Sequence, residues 1–345
     1  MSRTLKVAAI QMDVLPSAKT DRLERAHRLV TEAAQKGAQL VVLPEVFNTG
    51  YAYTDANFEN AEPLDGPTVQ WMQQTAAELD IHIAGCLLIQ ETKSSDIKNS
   101  ILLFAPDGRS WRYDKNYPWS WENAYFVPAE NKPAIVVAHT DIGDIGFLIC
   151  WDIAHTDLWR RYAGKVDFMI ICSCPPQVFK ATLHLPSAKI SPQDMGSMIQ
   201  GMHDETYNLF DLTLHQQLAW LGVPGISSIA CGTLRTPVPK GKGSFLAYIL
   251  SSLKLAQYLS QANQMELECK MYPACKVVDG NGQVLAIEEG SQETAVVAEI
   301  TLPSKKVKPQ KRQPKPAIGA ACYFLADFWL PMLVRSIYKR RKTIY

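Results

Sequence analysis

The chain of 345 residues carries 35 basic and 34 acidic side chains, for a formal net charge of +1. No global field draws it to nucleic acid or to another strongly charged partner. Its 8 cysteines are scattered without a CxxC pair, its 7 histidines form no HExxH or other ligand spacing, and the first residues lack the long apolar core of a secretion signal. The chain therefore reads as reduced and cytoplasmic, with neither a metal site nor a disulfide framework expected.

Residues 5–12, LKVAAIQM, form a short apolar run of strand type, and the spacing of Leu23, Ala26, Val30 and Ala33 that follows predicts a helix. Asp21 with Glu24 three residues on predicts a capping box, and Gly37 a helix stop. AQLVVLPE (38–45) is a nearly continuous apolar strand, so strand, helix, strand implies a βαβ unit with parallel pairing. The rhythm continues with a helix over 68–80, a strand over 81–90, and two strands around the turn Pro106, Asp107, Gly108. Strands follow at 145–150 and 166–174, with a short helix between. Residues 176–215 break the pattern and read as an inserted lid or loop region. Strands return near 221–232 and 275–289, the latter with a turn at 279–282, and TAVVAEITL (294–302) closes the sheet. The fold class is α/β, a mixed sheet covered by helices.

Composition shifts after Leu302. Residues 303–316 are a basic, proline-rich linker, and 317–345 an apolar tail with a basic end. The run 317–334, beginning at Ala317 and closing at Val334, holds a single charge, Asp327. With Asp327 and Pro331 inside it, a helix lying on a membrane surface fits better than a span, and docking on a partner subunit is the alternative. The expected organisation is a domain over 1–302, the linker, and the tail.

Three chemically capable residues lie just past apolar strands, where open α/β sheets place their sites: Glu45, Lys115 and Cys150. A thiol attacking a carbonyl-like carbon needs a base for its proton and a cation for the developing oxyanion. Each residue alone has a plain structural reading; the set does not. A Cys–His–Asp arrangement through His155 and Asp157 is weaker, because LICWD lacks the glycines of a nucleophile elbow.

These segments resemble the nitrilase superfamily of carbon-nitrogen hydrolases, in AQLVVLPEVFNTGY with Glu45, YDKNYPWSWENAYFVPA with Lys115, and GFLICWDIAHTDLWRRYAGK with Cys150. The resemblance implies a four-layer αββα sandwich, with Glu45 as general base, Lys115 stabilising the oxyanion, Cys150 as nucleophile and Glu122 positioning Lys115. It implies a thioester intermediate, no cofactor and a homo-oligomer. Trp119, Trp121, Tyr125 and Trp151 around the second and third motifs, with Tyr51 at the end of the first, are candidates to bind substrate, ordinary packing being the other reading. Amide hydrolysis is the leading expectation. Nitrile hydrolysis, N-acyl transfer to a lipid-like acceptor, and an inactive binding protein are the alternatives; the protein itself is expected in the cytoplasm, with peripheral contact at the inner face of a membrane as the location the tail suggests. The chain departs from the family pattern at "IAHTD" after the nucleophile, and at Leu221 and Gly222 where a polar pair is usual.

Overall fold

The computed structural model describes residues 3–309, 311–342 and 344. Its apolar runs become strands β1 (Arg3–Asp13), β2 (Leu40–Glu45), β3 (His82–Gln90), β4 (Ile97–Phe104), β5 (Ser110–Asp114), β6 (Val137–Thr140), β7 (Gly143–Ile149) and β8 (Phe168–Ser173). After the pair β9 (Thr182–Leu185) and β10 (Ala188–Ile190) come β11 (Gly225–Cys231), β12 (Thr233–Pro237), β13 (Glu266–Lys270), β14 (Cys275–Val278), β15 (Val284–Glu288) and β16 (Thr294–Leu302).

One half of the main sheet runs β5-β4-β3-β2-β1-β16 and the other β6-β7-β8-β11-β14-β15, joined where Met12 and Asp13 of β1 pair with Ala230 and Cys231 of β11. The halves face each other, and the side-chain period of a strand explains why. In β1, Leu5, Val7 and Ala9 enter the core between the sheets, while Ala8, Ile10 and Met12 point outward under the helices Lys19–Gln35 and Pro67–Leu79. In β2, Leu40 and Val42 face inward and Val41 and Leu43 outward. The helices Thr156–Tyr162 and Leu214–Leu221 cover the second half with Trp159, Tyr162, Leu214 and Leu218. The result is the four-layer αββα sandwich of the nitrilase type.

The expected capping box is absent. The first helix begins at Lys19 with Ala18 as its N-cap and no side-chain cap, so Asp21 sits in the first turn, where a carboxylate meets the positive end of the helix dipole. Gly37 (φ +85°) does end that helix, its N–H donating to the carbonyl of Ala34. The stretch 176–215 is partly ordered into β9 and β10, which join β12 and β13 in a separate sheet of order β10-β9-β13-β12.

The tail forms a 22-residue helix, Ala320–Arg341, long and apolar enough by length and composition to cross a membrane. In this structure one face is packed onto the body of the chain: Cys322, Ala326, Leu330, Val334 and Tyr338, at four-residue spacing, are all buried. Tyr338 donates to Asp96, Lys342 pairs with Asp96, and Arg341 with Asp55, fixing the far end. The near end crosses the turn Cys150–Ala154, where Tyr323 donates to the carbonyl of Ala154 at 2.7 Å.

Candidate active site

Strand direction assembles the site. β2 is parallel to β3, β7 to β8 and β8 to β11, and two antiparallel steps through β4 turn β5 the same way as β3. The carboxyl ends of β2, β5, β7 and β8 therefore bring Glu45, Lys115, Cys150 and Cys174 to one end of the sandwich.

Lys115, wholly buried, donates from Nζ to Glu45 Oε1 and to Glu122 Oε2, each at 2.7 Å. Glu45 also accepts from Asn99 Nδ2 at 2.7 Å and, on Oε2, from the main-chain N–H of Cys174 at 2.9 Å. Glu122 accepts from the Tyr51 hydroxyl at 2.9 Å and the Trp119 N–H at 2.7 Å. Every oxygen of both carboxylates thus has a donor, as buried charge requires. Burial works against the ammonium, but Glu122 and then Glu45 overcome it and hold the Lys115 pKa well above its ordinary value. Burial raises Glu122, with Lys115 opposing and Glu45 reinforcing the shift.

Cys150 leaves β7 with φ of +48° and opens the turn Cys150–Ala154. A non-glycine residue in the left-handed region costs about 1–3 kcal/mol and persists only where its surroundings over-determine it. Here Asp152 does so. Its Oδ1 accepts from the N–H groups of Asn116 and Tyr117, and its Oδ2 from the Tyr113 hydroxyl and the Ile149 N–H. One carboxyl therefore ties the turn that begins at Cys150 to the loop that carries Lys115. Burial pushes its pKa up to about 7, against the pull of Lys115 and those hydrogen bonds. The Cys150 thiol is raised well above its usual value by burial and next by Glu45, with Lys115 pulling the other way. Burial thus favours the neutral thiol over the thiolate at Cys150.

Cys150 and Glu122 line a cavity of about 460 Å³ empty volume, mouth included, together with Tyr51, Trp119 and Trp151. Glu45 and Lys115 are not among its lining residues; Lys115 bonds to Glu122, which is, and to Glu45. Tyr125 is placed elsewhere, against Phe58 and Tyr53 with ring centroids 5.9 Å and 6.4 Å away, and Trp121 lines an adjoining chamber. His155 is stacked on Tyr117 at 3.5 Å and is pushed down to about 3 by burial, while Asp157 accepts from Tyr117; neither lines the cavity at Cys150. The histidine arrangement has no geometric support. Among the described residues no group of three His, Cys, Asp or Glu side chains is placed to hold a metal ion.

Several participants escape sequence reasoning. Cys174 carries no sequence signal of its own, yet its N–H donates to Glu45 and the residue lines the cavity. Phe179 and Glu205, from the irregular stretch, and Cys322, from the tail, complete the wall. Asp152 alone carried a signal, an acid two residues past a strand-end cysteine.

The carbon-nitrogen hydrolase family model matches residues 6–190, more than half of the chain, and the chain belongs to this family of the nitrilase superfamily. It is similar to the omega-amidase NIT2-A of Xenopus laevis, 34% identical over 170 residues, a match covering 46% of this chain and 59% of that protein. A nitrilase of Pyrococcus abyssi is 29% identical over 166 residues, 47% of this chain and 61% of the relative. The chain thus matches about three fifths of these relatives' length. In three dimensions it is similar to Nit3 of Saccharomyces cerevisiae, TM-score 0.60 at 20% identity, covering 86% of this chain and 90% of Nit3. It is also similar to a mutant amidase of Nesterenkonia sp. AN1 bearing acrylamide, added by Michael addition, on its active-site cysteine: TM-score 0.61 at 15% identity, covering 90% and 96%.

Proposed function

We propose that the protein hydrolyses a non-peptide carboxamide through a thioester on Cys150. The observation that carries this reading is the buried Lys115 shared at 2.7 Å by Glu45 and Glu122, the latter lining one cavity with Cys150. Glu45 takes the thiol proton as the sulfur bonds to the amide carbon, and the oxyanion is held by the Lys115 ammonium and the N–H of Trp151. The carbon–nitrogen bond breaks as Glu45 returns that proton to the leaving nitrogen. Glu45 then deprotonates a water that attacks the thioester, and the proton goes back to sulfur as the acid departs. Glu122 positions Lys115, with Tyr51 and the Trp119 N–H positioning Glu122 in turn. Replacing Cys150 by Ala should abolish ammonia release across a panel of carboxamides, N-carbamoyl compounds and nitriles; turnover retained by that variant refutes the scheme.

The outer face of the tail favours a second element, contact with an anionic membrane surface. Phe324, Phe328 and Met332 are 52%, 58% and 54% exposed in one stripe opposite the docked face, and Lys339, Arg340 and Arg341 occupy the last turn. Flotation with phosphatidylserine vesicles should be lost on replacing Phe324 and Phe328 by Ser; equal behaviour of the two proteins excludes the contact. Val284, Leu285 and Ile287 are exposed on the edge strand β15 and support homo-oligomer formation, which sedimentation measures.

A further inference from the structure

The cavity at Cys150 has a neighbour on the far side of part of its lining. A second pocket, about 400 Å³ of empty volume with its open mouth included, lies against it, and Trp119, Val178, Phe179 and Cys322 line both. Its far side is made by Ala247 and Tyr248 of the helix Gly241–Ser251, and its roof by Leu325, Ala326 and Leu330 of the docked tail helix. That helix is held across the nucleophile's turn by Trp151, whose Nε1 donates to Asp327 Oδ1 at 2.7 Å. The roof is therefore anchored to the residue next to Cys150.

Charge decides what such a space accepts. Among the described residues lining the two chambers there is no lysine or arginine; the charged groups are Glu122 and Glu205. Glu122 is engaged by Lys115, and Glu205 accepts from the Gly319 N–H at the start of the tail helix. A second carboxylate on the substrate would enter an apolar, partly acidic space with no cation to meet it, which is costly. A hydrocarbon chain would lose only its contact with water.

We propose that the acyl part of the substrate is an uncharged apolar chain that starts at the carbonyl by Cys150 and passes between Trp119, Val178, Phe179 and Cys322, the side chains common to both pockets, into the second beneath the tail helix. This rests on the hydrolase reading and names its substrate class: amides of medium-length aliphatic acids rather than monoamides of dicarboxylic acids. The tail helix is on this account the roof of the acyl channel. The leaving amine side remains toward the mouth.

The test is a series of primary amides from propanamide to decanamide, with succinamate and isocaproamide compared as a charged and a neutral pair of similar size. kcat/KM should rise up to about fourfold per methylene until the second chamber is filled, and isocaproamide should exceed succinamate by roughly 100-fold. Ala247→Phe and Ala326→Phe, which fill the second chamber from opposite walls, should each lower the ratio of octanamide to propanamide turnover. A flat series, a preference for succinamate, or a ratio unchanged in both variants overturns the proposal. Calorimetry on the Cys150→Ala protein separates this from the hydrolase reading. If the parent protein turns over no amide yet octanamide binds the Cys150→Ala protein more tightly than propanamide, the channel stands and the hydrolase reading falls. If both bind alike, the channel falls.

Discussion

Lys115→Met is the most informative single change, because it removes one positive charge from between two buried carboxylates. Breaking a buried ion pair by deleting one partner typically costs about 3–5 kcal/mol, since the other charge is left without compensation. In this site the loss leaves Glu45 with Asn99 and the Cys174 N–H, and Glu122 with Tyr51 and the Trp119 N–H. Glu122, already raised by burial, is the group that takes up a proton in response. Its folded pKa then lies further above its unfolded value, so the penalty is full above the folded pKa and is relieved as pH falls, by at most ~1.4 kcal/mol per pH unit. Guanidinium unfolding at pH 8 and pH 6 should show Lys115→Met destabilised at the higher pH and partly recovered at the lower. Adding Glu122→Gln should restore most of the stability and remove the pH dependence, a coupling of at least ~1 kcal/mol in the double-mutant cycle. Activity should not return in the double variant, because loss of an oxyanion donor costs about 10²–10³ in kcat by itself. A Lys115→Met protein as stable as the parent at pH 8, or additive effects in the cycle, would refute the claim that these charges form one unit.

Other expectations follow from neighbouring contacts. Asp152→Ala strips acceptors from the buried donors of Asn116, Tyr117, Tyr113 and Ile149; it should cost about 2–4 kcal/mol in unfolding and abolish Cys150 alkylation at rates typical of the parent. Trp151→Phe leaves Asp327 without its donor; the carboxylate is a third exposed, so about 1 kcal/mol is expected, read as faster hydrogen exchange in Ala320–Arg341. His155, whose folded pKa of about 3 lies below its unfolded value, takes up a proton first in the unfolded chain. Stability should therefore fall as pH drops from about 6.5 towards 3, and His155→Phe should flatten that limb in thermal melts.

Much of the catalytic end was legible because parallel strands buried on both faces leave an unmistakable apolar run, and the runs ending at Glu45 and Cys150 mark where side chains emerge. Lys115 was marked more weakly, at the end of a strand as mixed as SWRYD, and Glu122 was legible only through the motif around it. The small sheet was not legible: β9 and β10 are four and three residues long, and β9 finds its partner β13 more than eighty residues later. Nor could spacing reveal that Cys174 serves through its main chain, a role independent of side-chain type. The tail illustrates a different limit. Its apolar stripe at four-residue spacing is equally suited to lipid, to a partner or to its own domain, and only the complementary positions of Trp151, Ala154 and Asp96 select the last.

The central claim, that Cys150 carries the acyl group, is tested most directly by acid-quenching the enzyme during turnover of a slow amide and measuring intact and peptide masses. The account predicts one acyl group per chain, with loss of the thiol hydrogen, on the peptide containing Cys150 and none in Cys150→Ala. An acyl group on any other residue, or turnover by Cys150→Ala, would contradict it.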